Sequence, residues 1–249
     1  MLETHQESPV ALAMFAHPDD IEFTAAGTLA LLKQRGWTIH YWNLANGCCG
    51  ACEQGPEATA QQRWKESLEA ANILGANPHQ PLFRDLEIFF DPPSCRRVAA
   101  VVREIRPNVV MTHATDDYME DHMVTARLAL HALFSAPMPN YRTEPDHPGY
   151  DKPRALYHAL PHGLHRPADR RRVLPEFYVN IDSVVDRKRE ALAAHRSQKE
   201  WLDRTQGMDA YLETMTGFAK TLGRESGAGA HAEGFTRHLP LGLGPEDYH

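Results

Sequence analysis

Residues 10–20 read VALAMFAHPDD, an apolar run followed directly by polar residues. The apolar run is short and uninterrupted, which is typical of a strand buried in a parallel sheet. His17, Asp19 and Asp20 therefore fall at the carboxyl end of that strand, where open α/β sheets place their binding and catalytic groups. A histidine and an acid three residues apart can hold one metal ion, while the acid between them handles protons. The stretch predicts most of a site for metal-assisted hydrolysis.

A second stretch, residues 112–122, reads THATDDYMEDH and follows a short apolar strand pattern at 107–111. A helical pattern resumes at 124–134, so His122 lies where a loop passes into a helix. Two ligands do not complete a metal site, and His122 is the best source of a third. The neighbouring carboxylates are expected to cap the helix, to face solvent or to orient the ligand imidazoles; they are Asp116, Asp117 and Asp121.

Strand and helix patterns alternate through the first half of the chain. Strands are predicted near 10–15, 38–44, 81–83 and 108–112, and helices near 27–35, 57–74, 94–105 and 122–135. Such alternation predicts an α/β fold with a mostly parallel sheet and helices on both faces. No G-x-G-x-x-G follows the first strand, so the sequence gives no indication of a dinucleotide site.

The composition changes from residue 135 onward. Residues 135–175 are rich in proline, and we interpret them as an elaborated connection over the active-site face with one strand at 155–160. The remaining predicted elements are a strand at 177–181, a helix from Asp182 or Ser183 to about Leu202, and a helix at 209–222. The glycine-rich tail, about 223–249, is expected to be partly mobile. A length of 249 residues suits one domain spanning 1–249.

Charge and composition limit the partners of this chain. The net charge of −7 comes with mixed signs and no basic stripe, which argues against nucleic acid and for a small-molecule substrate. Residues 1–9 lack the features of a signal peptide, and the apolar run at 10–15 is far shorter than the roughly 20 residues of a membrane span. Four cysteines are few for a disulfide scaffold. We therefore expect a cytoplasmic protein without a membrane span.

Cys49-Gly50-Ala51-Cys52 is formally a C-x-x-C motif. A structural zinc site needs a second Cys/His pair, and a thioredoxin-type motif opens a helix in a different context; neither is evident in the sequence. The segment follows the second predicted strand, so we interpret it as a loop beside the pocket that shapes substrate access.

The order of several short motifs resembles one enzyme family. The motifs are His17-Pro18-Asp19-Asp20, Gly27-Thr28-Leu29, Asn46-Gly47, Arg63 with Glu66, Asp121-His122 and His195-Arg196-Ser197-Gln198. Each alone is weak, but the ordered set resembles the PIG-L/LmbE-like zinc-dependent N-acetylglucosaminyl deacetylases over most of the chain. This resemblance implies a single-domain, Rossmann-like (LmbE-like) sandwich.

The resemblance also implies an activity and a division of roles. It implies that His17, Asp20 and His122 bind Zn²⁺, that Asp19 is the general base, and that Arg63 lies at the substrate end of the pocket. The implied reaction is hydrolysis of an N-acyl group, in the first instance N-acetyl, on an amino sugar or its conjugate. The donor set also suits Fe²⁺ or another divalent ion. Related enzymes form trimers or hexamers, which implies a homo-oligomer.

One position departs from the family pattern. Where these enzymes commonly carry a histidine three residues before the last ligand, this chain has Met119, whose thioether cannot donate a proton. Loss of one such donor typically costs about two to three orders of magnitude in rate. His113 follows the strand predicted near 108–112, and it is the candidate to replace this proton donor. The other candidates are Tyr118, His158 and His195.

Two alternatives from other functional classes stay open. One is a metal-binding relative with little or no turnover that binds a sugar or a protein partner, and Met119 motivates it. The other is a nucleotide- or sugar-binding protein without metal, in which Asp19 and Asp20 cap a helix. Arg63 and Glu66, one helical turn apart, would then form an ordinary surface ion pair.

Overall fold

The apolar run near the start of the chain forms a strand, as its composition predicts. In this computed structural model, which describes residues 8–51, 54–198 and 211–244, seven strands belong to one sheet. The strands are β1 (Val10–Phe15), β2 (Thr38–Asn43), β3 (Asn77–His79), β4 (Val109–Thr112), β5 (Ala155–Ala159), β6 (Phe177–Asn180) and β7 (Ala232–Arg237). The helices are α1 (Asp20–Thr24), α2 (Ala26–Gln34), α3 (Pro56–Leu74), α4 (Pro92–Ile105), α5 (Glu120–Ser135), α6 (Val185–Ala193) and α7 (Tyr211–Ser226), with a 3₁₀ turn at His162–Leu164.

β1 lies at the point where the strand order reverses. The strand order is β3-β2-β1-β4-β5-β7-β6, so the chain builds outward from β1 to β3 and then continues on the other side of β1 with β4. β1 pairs in parallel with β2 and β4, β3 extends the parallel set on one side, and β5 extends it on the other. β7 is antiparallel to β5 and to β6. The predicted α/β, Rossmann-like fold with a mostly parallel sheet is confirmed.

Successive side chains of β1 face opposite sides of the sheet. Leu12 and Met14 are buried in a hydrophobic cluster with residues of α4 and α5. Ala11, Ala13 and Phe15 are buried in a second cluster with residues of α2, α3 and α6. Helices therefore cover both faces, which explains why the strand is apolar throughout. Within the described ranges, the helices are all too short or too polar to span a membrane.

The predicted position of the third strand, at 81–83, is wrong. The structure places β3 at Asn77–His79, and Phe83 forms only an isolated bridge with Ala45. β3 is an edge strand, where Pro78 is tolerated although it has no N–H to donate. Because proline disfavours a strand on local grounds, the sequence pattern favours the apolar residues that follow it.

The glycine-rich segment after residue 223 contains a buried strand. The prediction of a partly mobile tail at about 223–249 is wrong for residues 232–237, which form β7. Glu233 of β7 is buried, pairs with Lys188 and accepts hydrogen bonds from the backbone N–H groups of Gly27 and Thr28. These contacts join residues distant in sequence, so the local composition gives no sign of them.

Only part of the predicted connection at 135–175 lies near the active-site edge. Because β5 is parallel to β4, the chain that leaves α5 must first reach the amino edge of the sheet. There Arg103, near the end of α4, donates to three backbone carbonyls of this connection, those of Ser135, Met138 and His147. The strand predicted at 155–160 is β5, and only the segment after it returns to the carboxyl edge.

The two helices predicted in the last third are present with different bounds. The helix predicted from Asp182 or Ser183 to about Leu202 begins later and is interrupted, because α6 runs from Val185 to Ala193, the chain turns at Ala194, and helical residues resume at 196–198. Residues 199–202 lie outside the described residues. The helix predicted at 209–222 corresponds to α7, which continues to Ser226; residues 209 and 210 also lie outside the described residues.

Candidate metal centre and catalytic cleft

A cleft of about 480 Å³ opens at the carboxyl edge of the sheet, beside the ends of β1 and β4. His17 and Asp20 follow β1, and His122 stands in the first turn of α5, the helix that follows β4. The predicted site residues that line the cleft are His17, Asp19, Asp20, Arg63 and His122. The topological switch point thus brings together two motifs that are about a hundred residues apart in sequence.

The ligand atoms of His17, Asp20 and His122 form a compact cluster, all within 4.8 Å of one another. His17 Nδ1 lies 3.4 Å from Asp20 Oδ2, and His122 Nε2 lies 3.5 Å from Asp20 Oδ1. Two ligands of a tetrahedral zinc ion, each about 2.1 Å from the metal, lie about 3.4 Å from each other. The cluster is therefore already spaced for a divalent ion.

A carboxylate supports each imidazole of this cluster. His17 Nε2 bonds to Asp121 Oδ2 at 2.9 Å, and His122 Nδ1 lies 3.3 Å from Asp117 Oδ1. The other ring nitrogen of each histidine is the one that faces Asp20. Carboxylates in this position fix the tautomer and the orientation of metal-ligating histidines. The structure thus gives Asp117 and Asp121 contacts that suit the orienting role considered from the sequence.

The surroundings of His122 show whether these residues fit a metal ion. Its Nε2 is buried and has no hydrogen-bond partner among the described residues, which is costly unless a ligand satisfies it. His113, Asp117 and His122 form an alternative grouping within 4.8 Å. There, however, His113 Nε2 already accepts the Ala16 N–H, and Asp117 faces the outer nitrogen of His122. The grouping of His17, Asp20 and His122 fits one divalent cation better.

The charges in the cluster depend strongly on one another. Burial lowers the pKa of His17, but hydrogen bonds to Asp121 and Asp20 outweigh it and raise the pKa to about 10. Burial raises the pKa of Asp20, but the charges of His122 and His113 hold that pKa well below its usual range. Because a metal ion and a proton compete for the same ligand nitrogen, metal binding is expected to release protons.

Asp19 is held apart from the cluster in an unusual backbone conformation. Its φ of 102° is rare for a non-glycine residue, and such strain costs on the order of 1–3 kcal/mol. The Tyr211 hydroxyl donates to Asp19 Oδ2 at 2.6 Å, and Arg63 Nη2 lies 3.7 Å from the same oxygen. Burial raises the pKa of Asp19, whereas the charge of Arg63 lowers it. No described residue donates to Oδ1, so that oxygen can accept a proton.

Arg63 is a buried wall of the cleft. Its Nη2 donates to the Pro18 carbonyl and faces Asp19, so this guanidinium supports the turn between β1 and α1. Glu66 accepts instead from the N–H and the hydroxyl of Ser197, at 3.0 and 2.6 Å. The surface ion pair considered from the sequence does not form between these two described side chains, and the Glu66–Ser197 contact connects two of the sequence motifs.

His113 packs beneath the cluster and is 3% exposed. Its ring stacks on that of His122 with the centroids 3.9 Å apart, and its Nε2 accepts the Ala16 N–H at 2.9 Å. Burial and the charge of His122 lower the pKa of His113 to about 4. Its role as a proton donor stays a prediction, and the contacts described here are those of a supporting residue.

The other predicted substitutes for a histidine at Met119 have different surroundings. Tyr118 lines the cleft together with Met119. His158 is buried with its Nδ1 2.8 Å from the His113 carbonyl, and His195 is buried with its Nε2 3.4 Å from Glu22 Oε2. Of these candidates, Tyr118 is the one that reaches the cleft in the described part of the chain.

Sequence reasoning missed three polar residues among those that line the cleft, which are Asp85, His162 and Tyr211. Asp85 stands two residues after the strand predicted at 81–83, so its position after a strand pattern was a signal that could have pointed to it. His162 follows β5 in the same way. Tyr211 arrives on α7 from the far end of the chain, and nothing in the sequence around it points to Asp19.

Comparison with known proteins supports the family resemblance. Residues 12–133 match the family PIG-L, described as GlcNAc-PI de-N-acetylase. The chain is 26% identical over 195 residues to a diacetylchitobiose deacetylase of Thermococcus kodakarensis, which covers 75% of this chain and 69% of that protein. It is 28% identical over 208 residues to a 4-oxalmesaconate hydratase of Pseudomonas putida, which covers 80% of this chain and 76% of that protein.

The fold comparison agrees with the sequence comparison. The structure of N,N'-diacetylchitobiose deacetylase from Pyrococcus horikoshii superposes with a TM-score of 0.78 at 21% identity, covering 94% of this chain and 85% of that chain. At this identity the likeness shows the fold, while the sequence match shows the relationship. Residues 12–133, about half of the chain, thus match the PIG-L family, and the chain shares its fold with a deacetylase.

Proposed function

We propose that this chain is a metal-dependent hydrolase that removes an N-acyl group, in the first instance N-acetyl, from an amino sugar or its conjugate. The observation that carries the proposal is the convergence of His17, Asp20 and His122 at the cleft, with a separate carboxylate, Asp19, beside them. The names of the deacetylase relatives support the substrate class. We propose Zn²⁺ as the ion, and Fe²⁺ suits the same donors.

The residues of the cleft divide the work of amide hydrolysis. His17, Asp20 and His122 would hold the ion, which when bound supplies Lewis acidity toward the acyl carbonyl and toward water. Asp19 takes the proton of the attacking water at Oδ1, because its Oδ2 is engaged by Tyr211. Arg63 keeps Asp19 in position through the Pro18 carbonyl and lies in the wall that the substrate contacts.

The leaving amine needs a proton, and Met119 cannot supply it. His113 is the donor proposed from the sequence, but its Nε2 faces the Ala16 N–H. His162 is exposed at the cleft wall and Tyr118 stands beside it with ring centroids 5.6 Å apart, so both can reach a substrate. Replacing His113 with Asn and His162 with Ala separates these assignments, because only loss of the donor lowers kcat while the metal content is kept.

The side chains of the cleft suit a sugar. Among the described residues that line it, Asp19, Asp20 and Asp85 are carboxylates and Arg63 is the one guanidinium. Carboxylates accept hydrogen bonds from sugar hydroxyls. A bound divalent ion would offset the negative charge of the carboxylates, so the charge of the cleft does not select against an acid anion. Hydration of an unsaturated acid is therefore the second candidate, since the hydratase relative is as similar as the deacetylases.

The test combines metal analysis with two assays of product. Protein purified without chelator is expected to contain a divalent ion that His17→Ala loses, and to release amine from N-acetylated amino sugars. Asp19→Asn is expected to keep the metal and to lower kcat by about 10²–10⁴-fold, because the general base is lost. Asp116→Asn is the matched control, since this exposed carboxylate pairs with Arg166 outside the cleft.

Three outcomes would count against the proposal. Metal without amine release from any sugar would favour the metal-binding relative without turnover. Loss of the double bond of an unsaturated acid without amine release would favour a hydratase. Absence of bound metal after reconstitution would contradict the proposed metal site, on which the proposed reaction depends. Sedimentation of the same preparations tests the proposed trimer or hexamer.

A further inference from the structure

A second group of ligand atoms, which shares no residue with the cluster of His17, Asp20 and His122, lies at the wall of the same cleft. Cys48 and Cys49 occupy a turn that a Gly50 N–H to Gly47 carbonyl hydrogen bond closes. The two Sγ atoms are 3.9 Å apart, and the carboxylate of Asp85 brings a third ligand atom, with all three within 4.8 Å of one another. The C-x-x-C motif of the sequence gives no sign of this group, because Asp85 is 36 residues away from Cys49.

The spacing of the two sulfurs matches that of thiolate ligands on one metal ion. Two sulfurs that are each about 2.3 Å from a tetrahedral zinc ion lie about 3.8 Å apart. A disulfide would instead need a distance near 2.05 Å, together with an oxidant that this site does not supply. Desolvation, Cys48 and Asp85 raise the pKa of Cys49 to about 11, which also makes this thiol a poor redox nucleophile.

The turn is held in place by Asp85 before any ion binds. Asp85 Oδ1 accepts the Gly47 N–H at 2.7 Å, and Oδ2 accepts the Cys49 N–H at 2.8 Å. Each carboxylate oxygen keeps a second lone pair for a metal. Gly47 has a φ of 76° and lies so close to Arg63 that a Cβ would be 2.9 Å from its side chain. Little reorganisation is therefore needed for these donors to close around an ion.

We propose that Cys48, Cys49 and Asp85 form a second metal site, which takes a thiophilic divalent cation such as Zn²⁺ or Cd²⁺. Two thiolates and one carboxylate are a soft donor set, distinct from the two imidazoles and one carboxylate of the histidine cluster. Cys49 and Asp85 line the same cleft as Asp19 and Asp20. An ion bound there occupies space that a substrate needs, so excess Zn²⁺ or Cd²⁺ inhibits turnover.

The site also touches the support of the first cluster. Asp85 is followed by Leu86, whose N–H donates to Asp121 Oδ2 at 2.7 Å, and that same oxygen bonds to His17 Nε2. An ion on Asp85 therefore acts on the segment that orients His17. An ion at the second site would therefore affect the position of His17 as well as obstruct the cleft.

The experiment is a titration of the whole protein with Cd²⁺ alone, followed by the ultraviolet charge-transfer absorption of cadmium-bound thiolate. Absorption is expected for the wild type and for His17→Ala, and it is expected to be lost in Cys49→Ser and weakened in Asp85→Asn. Because Cys49 is exposed, its serine variant is expected to fold normally. Cys95→Ser is the matched control, since that buried cysteine lies on α4 outside the cleft.

Absorption that survives Cys49→Ser, or that disappears with Cys95→Ser or Cys52→Ser, would overturn the proposal. So would a wild-type protein that shows no absorption under reducing conditions. Inhibition by excess Zn²⁺, measured relative to the rate of each variant without added metal, is expected to be relieved in Cys49→Ser. The cadmium absorption requires no turnover, so failure of the proposed deacetylation leaves it as an independent result.

Discussion

Asp19 shows how a single carboxylate is prepared by residues from distant parts of the chain. Tyr211 and Arg63 both face its Oδ2, and both lower its pKa against the effect of burial. Tyr211→Phe removes one of these contacts without changing the shape of the ring. We expect kcat/KM to fall by about 10- to 150-fold, since a hydrogen bond to a charged group is worth about 1.5–3 kcal/mol.

The pH profile distinguishes loss of this contact from general damage. Without the Tyr211 hydroxyl the pKa of Asp19 rises, so the acidic limb of kcat/KM is expected to move to higher pH. Tyr178→Phe is the control, because that hydroxyl bonds to Glu225 on the exposed side of α7. A lower rate with an unmoved acidic limb would show that Tyr211 acts by packing alone.

A substitution at Asp121 tests how the histidine cluster is supported. Its Oδ2 forms hydrogen bonds with His17 Nε2 and with the Leu86 N–H. Asp121→Asn therefore removes a contact that orients His17, without removing a metal ligand. Metal affinity is expected to fall about 10–100-fold. Competition with a chelating dye measures it, with Asp116→Asn as the unaffected carboxylate; equal affinities in the two variants would contradict the role of Asp121.

At the scale of elements, β2 and β3 are joined by a pair of histidines that responds to pH. His40 Nδ1 lies 2.7 Å from His79 Nε2, and burial with the charge of His79 lowers the pKa of His40 to about 4. An unfolded histidine titrates near 6.5. The unfolded chain therefore takes up a proton that the fold excludes, so stability is complete above about pH 6.5 and is lost as the pH falls toward 4.

His40→Gln removes this titration. The melting temperature of the variant is expected to fall less steeply than that of the wild type between pH 6.5 and pH 4, because one of the excluded protons is gone. Thermal melts across this range measure the difference, with the exposed His165→Gln as the control. Parallel curves for the wild type and His40→Gln would show that the histidine pair does not govern the stability of this sheet edge.

The elements that could be predicted from sequence are those with a local signal. β1 and β4 are uninterrupted apolar runs, and the polar residues that follow them mark the cleft. β3 and β7 could not be predicted, because a proline and a glycine-rich composition hide strands that form only by pairing with neighbours. The residues His17, Asp20 and His122 of the candidate metal site could therefore be proposed from sequence, whereas the contact of Tyr211 with Asp19 depends on tertiary structure.

At the scale of the whole molecule, the proposed metal ion would connect the two halves of the sheet. His17 and Asp20 follow β1, His122 belongs to α5 beyond β4, and the strands on either side grow in opposite directions from that boundary. Without a cation, Asp19 and Asp20 stand together at the cleft, in a chain whose net charge is already −7. A divalent ion would reduce this local repulsion and bind the folded state alone.

Removal of the ion should therefore lower the stability of the entire fold. At a free concentration 1,000 times Kd, a ligand of the native state contributes about 4.1 kcal/mol. Since 1 kcal/mol moves the melting temperature of a chain of this size by about 2–4 °C, a chelator is expected to lower it by roughly 8–16 °C. The measurement is made in a Cys49→Ser background, which lacks a ligand of the second proposed site. His17→Ala in that background is expected to show no shift. An equal shift in His17→Ala would mean that the stabilising ion is bound elsewhere.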